Sequence, residues 1–231
     1  MKNKREKSTV EVTETQGKVR RTKLYRSGDP SAIPELARYL NEGELVVFPT
    51  DTVYGLGANA FDATAIARLF AVKQRPNDKG IPVLMADIQD LERVAASIPP
   101  AARLFIERFW PGPLSLIVPR QPALPDVLSP NGSVAVRIPN HPVARELIRA
   151  AGGAIATTSA NLSGYPPATN GMEALAVLGG LVAAIIDDGP SPGPLASTVV
   201  DCTQEKPIVL RTGPLSARDL GVGEPHSGQA F

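Results

Sequence analysis

The chain of 231 residues is predicted to be an α/β protein: a twisted sheet of mixed parallel and antiparallel strands, flanked by helices, around a concave cavity. Three observations predict this. From Asp29 to Gln204, segments with apolar residues at helical spacing alternate with short apolar runs, as they do where helices layer onto a sheet. Near the carboxyl end, Thr198 to Asp201 and Ile208 to Arg211 follow one another too closely for a crossover helix, so they pair antiparallel. An apolar content of 43% supports a sizeable core. The 23 prolines gather in loops, notably Trp110-Pro111-Gly112-Pro113 and Gly189-Pro190-Ser191-Pro192-Gly193-Pro194, where they stiffen connections around a cavity mouth; most of the others only restrict the unfolded chain.

The elements follow in order. Ile33 to Leu40 carries a helical apolar stripe that stops near Gly43. Leu45 to Phe48 is a buried strand, and the hydroxyls and glycines of Pro49-Thr50-Asp51-Thr52-Val53-Tyr54-Gly55-Leu56-Gly57 follow at its carboxyl end. Thr64 to Val72 is a helix with Asp62 as its cap. Ile81 to Ala86 is a strand, with Pro82 at its start. Asp87 to Ala96 and Pro100 to Phe109 read as helices; Leu114 to Val118 and Val134 to Ile138 read as strands. Val143 to Ala151 is a helix ended by Gly152-Gly153. Ala154 to Thr157 is a strand, Met172 to Leu178 a helix and Val182 to Ile186 a strand, before the two final strands.

Charge divides the chain. Residues 1 to 26 hold nine Lys/Arg and three Asp/Glu, net +6, whereas the remainder holds fifteen and twenty, net −5. The basic leader, 1–26, lacks amphipathic periodicity and reads as a flexible tail, either a solvated extension or a loose phosphate contact for RNA or tRNA. Residues 27–216 form the expected folded domain and 217–231 a tail. A single cysteine, Cys202, excludes an internal disulfide framework and a cysteine metal cluster. No apolar run reaches eighteen residues and no secretory signal opens the chain, so no membrane partner is expected and cytoplasmic residence is the default.

The common catalytic signatures are absent. No G-x-x-x-x-G-K-[ST] loop occurs, and Gly55-Leu56-Gly57 lacks the third glycine of a dinucleotide site. His141 and His226 have no Ser or Cys elbow beside them, and His141-Pro142 reads as the start of a helix. What remains is an anion site. Lys73, Arg75, Lys79, Arg137 and Arg211 flank strands or loops. Lys73 and Arg75 follow a helix two residues apart, and Ser159 and Asn161 follow a strand two apart; cations with such donors suit a polyphosphate. Surface solvation explains Arg103, Arg108 and Arg149. It does not suit Arg137, set within apolar Val134-Ala135-Val136-Arg137-Ile138, where a charge faces a partner.

Taken in order, Phe48-Pro49-Thr50-x-Thr52-Val53-Tyr54-Gly55-Leu56-Gly57, Lys73-x-Arg75 and Ser159-x-Asn161 resemble the YrdC-like family of threonylcarbamoyl-AMP synthases over roughly residues 30 to 216. The resemblance implies the YrdC-like fold and a nucleotidyltransferase of tRNA processing. Its substrates would be L-threonine, bicarbonate or CO2, and ATP. Threonine is carboxylated to a carbamate that attacks the α-phosphorus, giving threonylcarbamoyl-AMP and pyrophosphate for a tRNA-modifying threonylcarbamoyl transferase. Such chemistry needs positioning and charge neutralisation rather than a protein nucleophile. Mg2+ would be held mainly by the ATP phosphates and water, with no protein metal ligands.

Carried over residue by residue, the resemblance implies that Thr50, Arg137, Thr157 and Ser197 bind threonine. Lys73, Arg75, Ser133, Ser159, Asn161 and Arg211 would bind the nucleotide, Lys73 and Arg75 being catalytic. Three departures stand out. Leu84 occupies a position where a histidine is frequent. Ala196 precedes Ser197 where an acidic residue or proline is common. The chain ends about twenty residues after Arg211, as expected of a single-domain form, with a tail that could fold over the cavity. Two other readings remain: a non-catalytic RNA-binding protein on the same fold, and a carbamoyl-transfer module like that of hydrogenase-maturation proteins, which the missing acylphosphatase-like and zinc-finger segments disfavour.

Overall fold

The computed structural model describes residues 21–74, 80–129, 131–193 and 195–223. Among the described residues, ten strands form one sheet. They are β1 (Lys23–Arg26), β2 (Val46–Phe48), β3 (Gly55–Asn59), β4 (Val83–Met85), β5 (Leu114–Pro119), β6 (Ser133–Arg137), β7 (Ala154–Ser159), β8 (Ala184–Asp187), β9 (Thr198–Asp201) and β10 (Ile208–Arg211). The spatial order is β1-β8-β2-β3-β7-β4-β6-β5-β9-β10. Pairing is mixed, as predicted: β1 and β2 run parallel to β8, β4 to β6 and β5 to β9, while β3 and β7 pair antiparallel with their neighbours. The last two strands, β9 and β10, are antiparallel.

Strand periodicity sorts the side chains into two layers. On one face Val46, Phe48, Leu84, Ile155, Ala184 and Ile186 meet α1 (Ala32–Asn41) and α5 (Pro142–Ala150), which contribute Leu36, Leu40, Leu147 and Ile148. On the other, Val47, Leu56, Val83, Leu116, Val136, Ala156 and Val200 meet α2 (Ala63–Lys73), α3 (Leu91–Val94), α4 (Pro100–Phe109), α6 (Gly171–Leu178) and α7 (Ala217–Leu220). Each fully buried leucine here contributes roughly 1.5–3 kcal/mol relative to exposure. Asp62 caps α2 as predicted, its Oδ1 accepting from the Thr64 and Ala65 amides at 2.8 and 3.1 Å.

Four expectations need correction. Residues Gly55–Asn59 are not a loop at the end of β2 but a central strand, β3. Its glycines depress local strand preference, yet a Cβ on Gly55 would lie 2.8 Å from Thr157 Cγ2, and one on Gly57 2.8 Å from Phe48 Cε1. Only glycine lets Phe48 and Thr157 close over that strand. The segment Asp87 to Ala96 is a short 3-10 turn, Ile88–Asp90, leading into one turn of α3.

The basic leader does not extend to Arg26. Lys23–Arg26 is β1, and buried Thr22 donates to Val182 O at 2.6 Å while accepting from the Gly180 amide; residues 1–20 lie outside the described residues. Nor is 217–231 wholly a tail. Thr198 Oγ1 donates to Leu215 O and accepts from the Gly213 and Leu215 amides. That turn delivers α7, whose Ala217 and Leu220 join the core on the α2 side of the sheet. The described part of this segment therefore does not cover the cavity, and residues 224–231 lie outside the described set.

Candidate active site

On the α1/α5 face a cleft of about 100 Å3 opens beside those helices, lined from the loop after β2, from β3, β4, β5, β6, β7 and β10, and from the residues just before β9. Its lining comes from the strand positions that alternate with core residues: Ser115 between Leu114 and Leu116, Arg137 after Val136, Thr157 and Ser159 after Ala156. Thr50, Thr52, Leu84, Ala196, Ser197 and Arg211 also line it. Thr50, Arg137, Thr157, Ser159, Ser197 and Arg211, all predicted site residues, thus share one cavity.

Arg137 lies at the end of β6 with only 4% of its surface exposed. Its Nε donates to Gly112 O at 2.9 Å, its Nη1 to Thr52 Oγ1 at 3.1 Å and its Nη2 to Asp51 Oδ1. A guanidinium has five N–H donors, so one on each Nη is left after these three bonds. Burial pushes the pKa of Arg137 down, opposed by the charge of Asp51. The Trp110-Pro111-Gly112-Pro113 turn supplies the carbonyl of Gly112, and Trp110 Nε1 closes that turn on Leu114 O at 2.7 Å.

Thr50 is tied into its own loop. Its Oγ1 donates to Val53 O at 2.6 Å and accepts from the Thr52 amide at 3.1 Å. It also lies 3.0 Å from Thr52 Oγ1, which donates to it because the Thr50 proton is committed, so the one donor and two acceptor sites of Thr50 Oγ1 are all engaged within the loop. Thr157 Oγ1 likewise donates to Ile155 O at 3.1 Å. Across the cleft, Ser115 and Ser197 share a hydrogen bond of 2.8 Å, and Arg211 donates to Ser197 O at 3.0 Å and to Ser197 Oγ at 3.2 Å.

The cationic end is built from α2 and β7. Lys73, 2% exposed, donates through Nζ to Ser159 O at 2.8 Å and Asn161 Oδ1 at 2.6 Å. Ser159 Oγ donates to the same Asn161 oxygen at 2.6 Å, and Asn161 Nδ2 donates to Leu162 O and Tyr165 O. Lys73 and Asn161 stand just behind Ser159 rather than on the lining. Ser133 is not brought to the cleft: it starts β6, at the opposite end of that strand from Arg137, and donates to Asn131 Oδ1 at 2.6 Å. Arg75 and Lys79 lie outside the described residues.

Sequence reasoning missed Ser115, Thr52 and Asp51. Ser115 carried the signal that exposed Arg137, a polar residue inside an apolar strand. Asp51 and Thr52 carried none, because their role depends on Arg137, far away in sequence. His141 precedes α5 as expected, but its ring makes no capping bond; Nε2 lies 3.4 Å from Asp188 Oδ2.

The Sua5/YciO/YrdC family model, described as "Telomere recombination", matches residues 38–213. The chain belongs to this family. A Mycobacterium tuberculosis protein provisionally named threonylcarbamoyl-AMP synthase is 46% identical over 204 residues, covering 86% of this chain and 94% of that one. The threonylcarbamoyl-AMP synthase of Bacillus subtilis is 42% identical over 199 residues, 84% of this chain but 56% of its own length. The crystal structure of P. abyssi Sua5 complexed with L-threonine superposes with a TM-score of 0.83 at 38% identity, covering 88% of this chain and 62% of that chain. The chain therefore spans little more than half the length of these two longer relatives and nearly all of the mycobacterial one. Within the family match fall β2 to β10, the whole cleft and the Lys73–Asn161 contact.

Proposed function

We propose that this member of the family is a threonylcarbamoyl-AMP synthase, using L-threonine, bicarbonate or CO2, and ATP in the first step of N6-threonylcarbamoyladenosine formation in tRNA. The observation that carries the reading is the continuity of the cleft: a buried arginine fork with two spare donors at one side, and Ser159 backed by buried Lys73 at the other. A fork of that kind suits a carboxylate, and lysine with hydroxyl donors suits phosphates.

In this reading the threonine carboxylate binds Arg137, with the Thr50 hydroxyl and the Ser115–Ser197 pair around the rest of the amino acid. The amine, having lost its ammonium proton, adds to CO2 and releases a second proton, giving a carbamate. A carbamate oxygen then bonds to the α-phosphorus as the bond from that phosphorus to the β-phosphate's bridging oxygen breaks, and pyrophosphate leaves. Lys73, Arg75, Ser159, Asn161 and Arg211 would orient the nucleotide and offset charge developing on it, the protein acting through position and electrostatics.

The described residues present cations and hydroxyls here, and include no cluster of three or more His, Cys, Asp or Glu side chains placed to hold a metal. That donor set fits a Mg2+ that arrives on the ATP phosphates and lowers their charge. The product would pass to a tRNA-modifying threonylcarbamoyl transferase, in the cytoplasm. Among the described residues, no helix is long and apolar enough to cross a membrane.

A purely RNA-binding role is less well served, because Lys73 and Arg137 are buried and cannot reach the phosphates of a folded RNA. The deciding experiment incubates the protein with L-threonine, bicarbonate and Mg-ATP and measures pyrophosphate and the adenylate. Both should form in equal amounts and only with threonine present; their absence, with tRNA still bound, would favour the RNA-binding reading.

A further inference from the structure

Tyr54 borders the cleft directly before β3, with none of its surface exposed. Its backbone and its side chain serve different sides of the site. The carbonyl accepts from the Ala160 amide at 2.8 Å, between Ser159 and Asn161 on the nucleotide side, and the amide donates to Ala168 O at 3.2 Å. The hydroxyl reaches the loop after β8, where it donates to Gly189 O at 2.7 Å and accepts from the Asp188 amide at 3.0 Å. With that one proton given to Gly189, Asp187 Oδ1, 3.4 Å away, is served instead by the Gly171 and Gly189 amides at 3.0 and 3.3 Å.

The loop that Tyr54 holds begins the β8–β9 connection, which ends in the cleft with Ala196 and Ser197. Gly189 and Gly193 loosen this connection, so its course depends on bonds to the rest of the fold. At its start these come from the Tyr54 hydroxyl. Midway, the Ser191 amide donates to Thr169 O at 2.6 Å, and at its end Ser197 meets Ser115 and Arg211. Asp188 is exposed and Gly189 half-buried, so water can replace the phenol where its hydroxyl is removed. Loss of the hydroxyl therefore costs little stability but frees the start of the connection.

We propose that Tyr54 is a positioning residue for the amino-acid substrate: its buried hydroxyl holds the start of the β8–β9 connection so that Ser197 is presented to threonine beside Ser115. The proposal rests on the assignment of Ser197 to threonine binding. Tyr54 touches no substrate, and its effect passes through Ser197. Because the Tyr54 backbone, not its side chain, holds Ala160, removing the hydroxyl should leave the nucleotide side as it is.

The test is a double-mutant cycle on the full chain, with Tyr54→Phe, Ser197→Ala and the double variant. KM for L-threonine and for ATP would be measured by pyrophosphate release, and threonine affinity by calorimetry. Tyr54→Phe should weaken threonine about fivefold in both readouts, with kcat and the ATP KM within about twofold. In the Ser197→Ala background the same change should add less than about twofold. Gly189→Ala perturbs the same tether from its other end. A Cβ there meets nothing within 4 Å, but a φ of +79° does not suit alanine, so this variant should show the same selective loss.

An unchanged threonine affinity in folded Tyr54→Phe, an equal rise in the ATP KM, or effects that multiply in the double variant would each overturn the proposal. If Tyr54→Phe does not fold, Gly189→Ala replaces it in the same cycle under the same criteria. A wild type that binds threonine without making adenylate would sink the functional reading alone, leaving the cycle to be decided by calorimetry; one that binds no threonine overturns both.

Discussion

The Nζ of Lys73 donates to Oδ1 of Asn161 at 2.6 Å, a bond between residues 88 apart in sequence that ties the end of α2 to the loop after β7. Lys73 therefore has two duties. Replacing it with alanine removes a cation from the nucleotide side and takes one charged donor from each of Ser159 O and Asn161 Oδ1, which keep the Asn161 amide and the Ser159 hydroxyl. Lys73→Ala should lower kcat/KM for ATP about a hundredfold and cost about 1–3 kcal/mol of stability. Pyrophosphate kinetics and a denaturant melt check both; full stability with lost activity would show that the buried bonds are dispensable.

Arg75→Ala separates the two duties. Its expected effect is loss of ATP use, about tenfold or more in kcat/KM, with the melting curve unchanged. A comparable loss of stability in this variant would mean that Arg75 is also a structural cation.

Arg137→Lys keeps the charge and loses the fork. Lysine cannot reproduce three divergent bonds to Gly112, Thr52 and Asp51. The threonine KM should rise about tenfold and the ATP KM by less than about twofold. Steady-state kinetics in each substrate decide it, and the reverse pattern would place the carboxylate elsewhere in the cleft.

Gly55→Ala tests the floor of the cleft. The new methyl would meet Thr157 Cγ2 at 2.8 Å and Phe48 Cζ at 3.4 Å. Relieving that overlap must move Thr157 or β3, so we expect about 1–3 kcal/mol of destabilisation and a raised threonine KM. An unaffected protein would mean that the strand shifts without disturbing the site.

Cys202 is buried at the end of β9, and burial pushes its thiol up to about 12 from an ordinary 9.0, with Asp201 adding to the effect. A thiolate being the reactive form, iodoacetamide should leave the native thiol untouched at pH 8 and label it in denaturant. The raised pKa favours the folded state fully below pH 9, and that contribution is lost as pH rises toward 12. Rapid native labelling at pH 8 would contradict the burial.

Deleting residues 1–26 removes β1 and the Thr22 bonds, along with the Arg26 Nη1 bond to Asp187 Oδ2 at 3.0 Å. That truncation should lower the melting temperature, whereas deletion of 1–20 removes none of the described contacts. Equal melting of the two truncated chains would show that β1 contributes nothing measurable.

The sequence by itself determined the fold class, most element positions and the anion-binding character of the cleft. Helices such as α2 and α5 announce themselves through local apolar spacing and caps, and Arg137 betrays its role because a charge inside an apolar strand requires a partner. The identity of that partner was not local. Asp51 and Thr52 meet Arg137 only because the β2–β3 connection folds back over β6, and Ser115 meets Ser197 only because β5 and β9 run side by side. The same holds for β3, whose glycines weaken every local strand signal and are required by Phe48 and Thr157, and for β1, whose four residues become a strand when β8 supplies hydrogen-bond partners. Periodicity and capping act over a few residues and can be read along the chain; ladder pairing, close approach and ion-pair geometry arise between segments that only the folded sheet brings together.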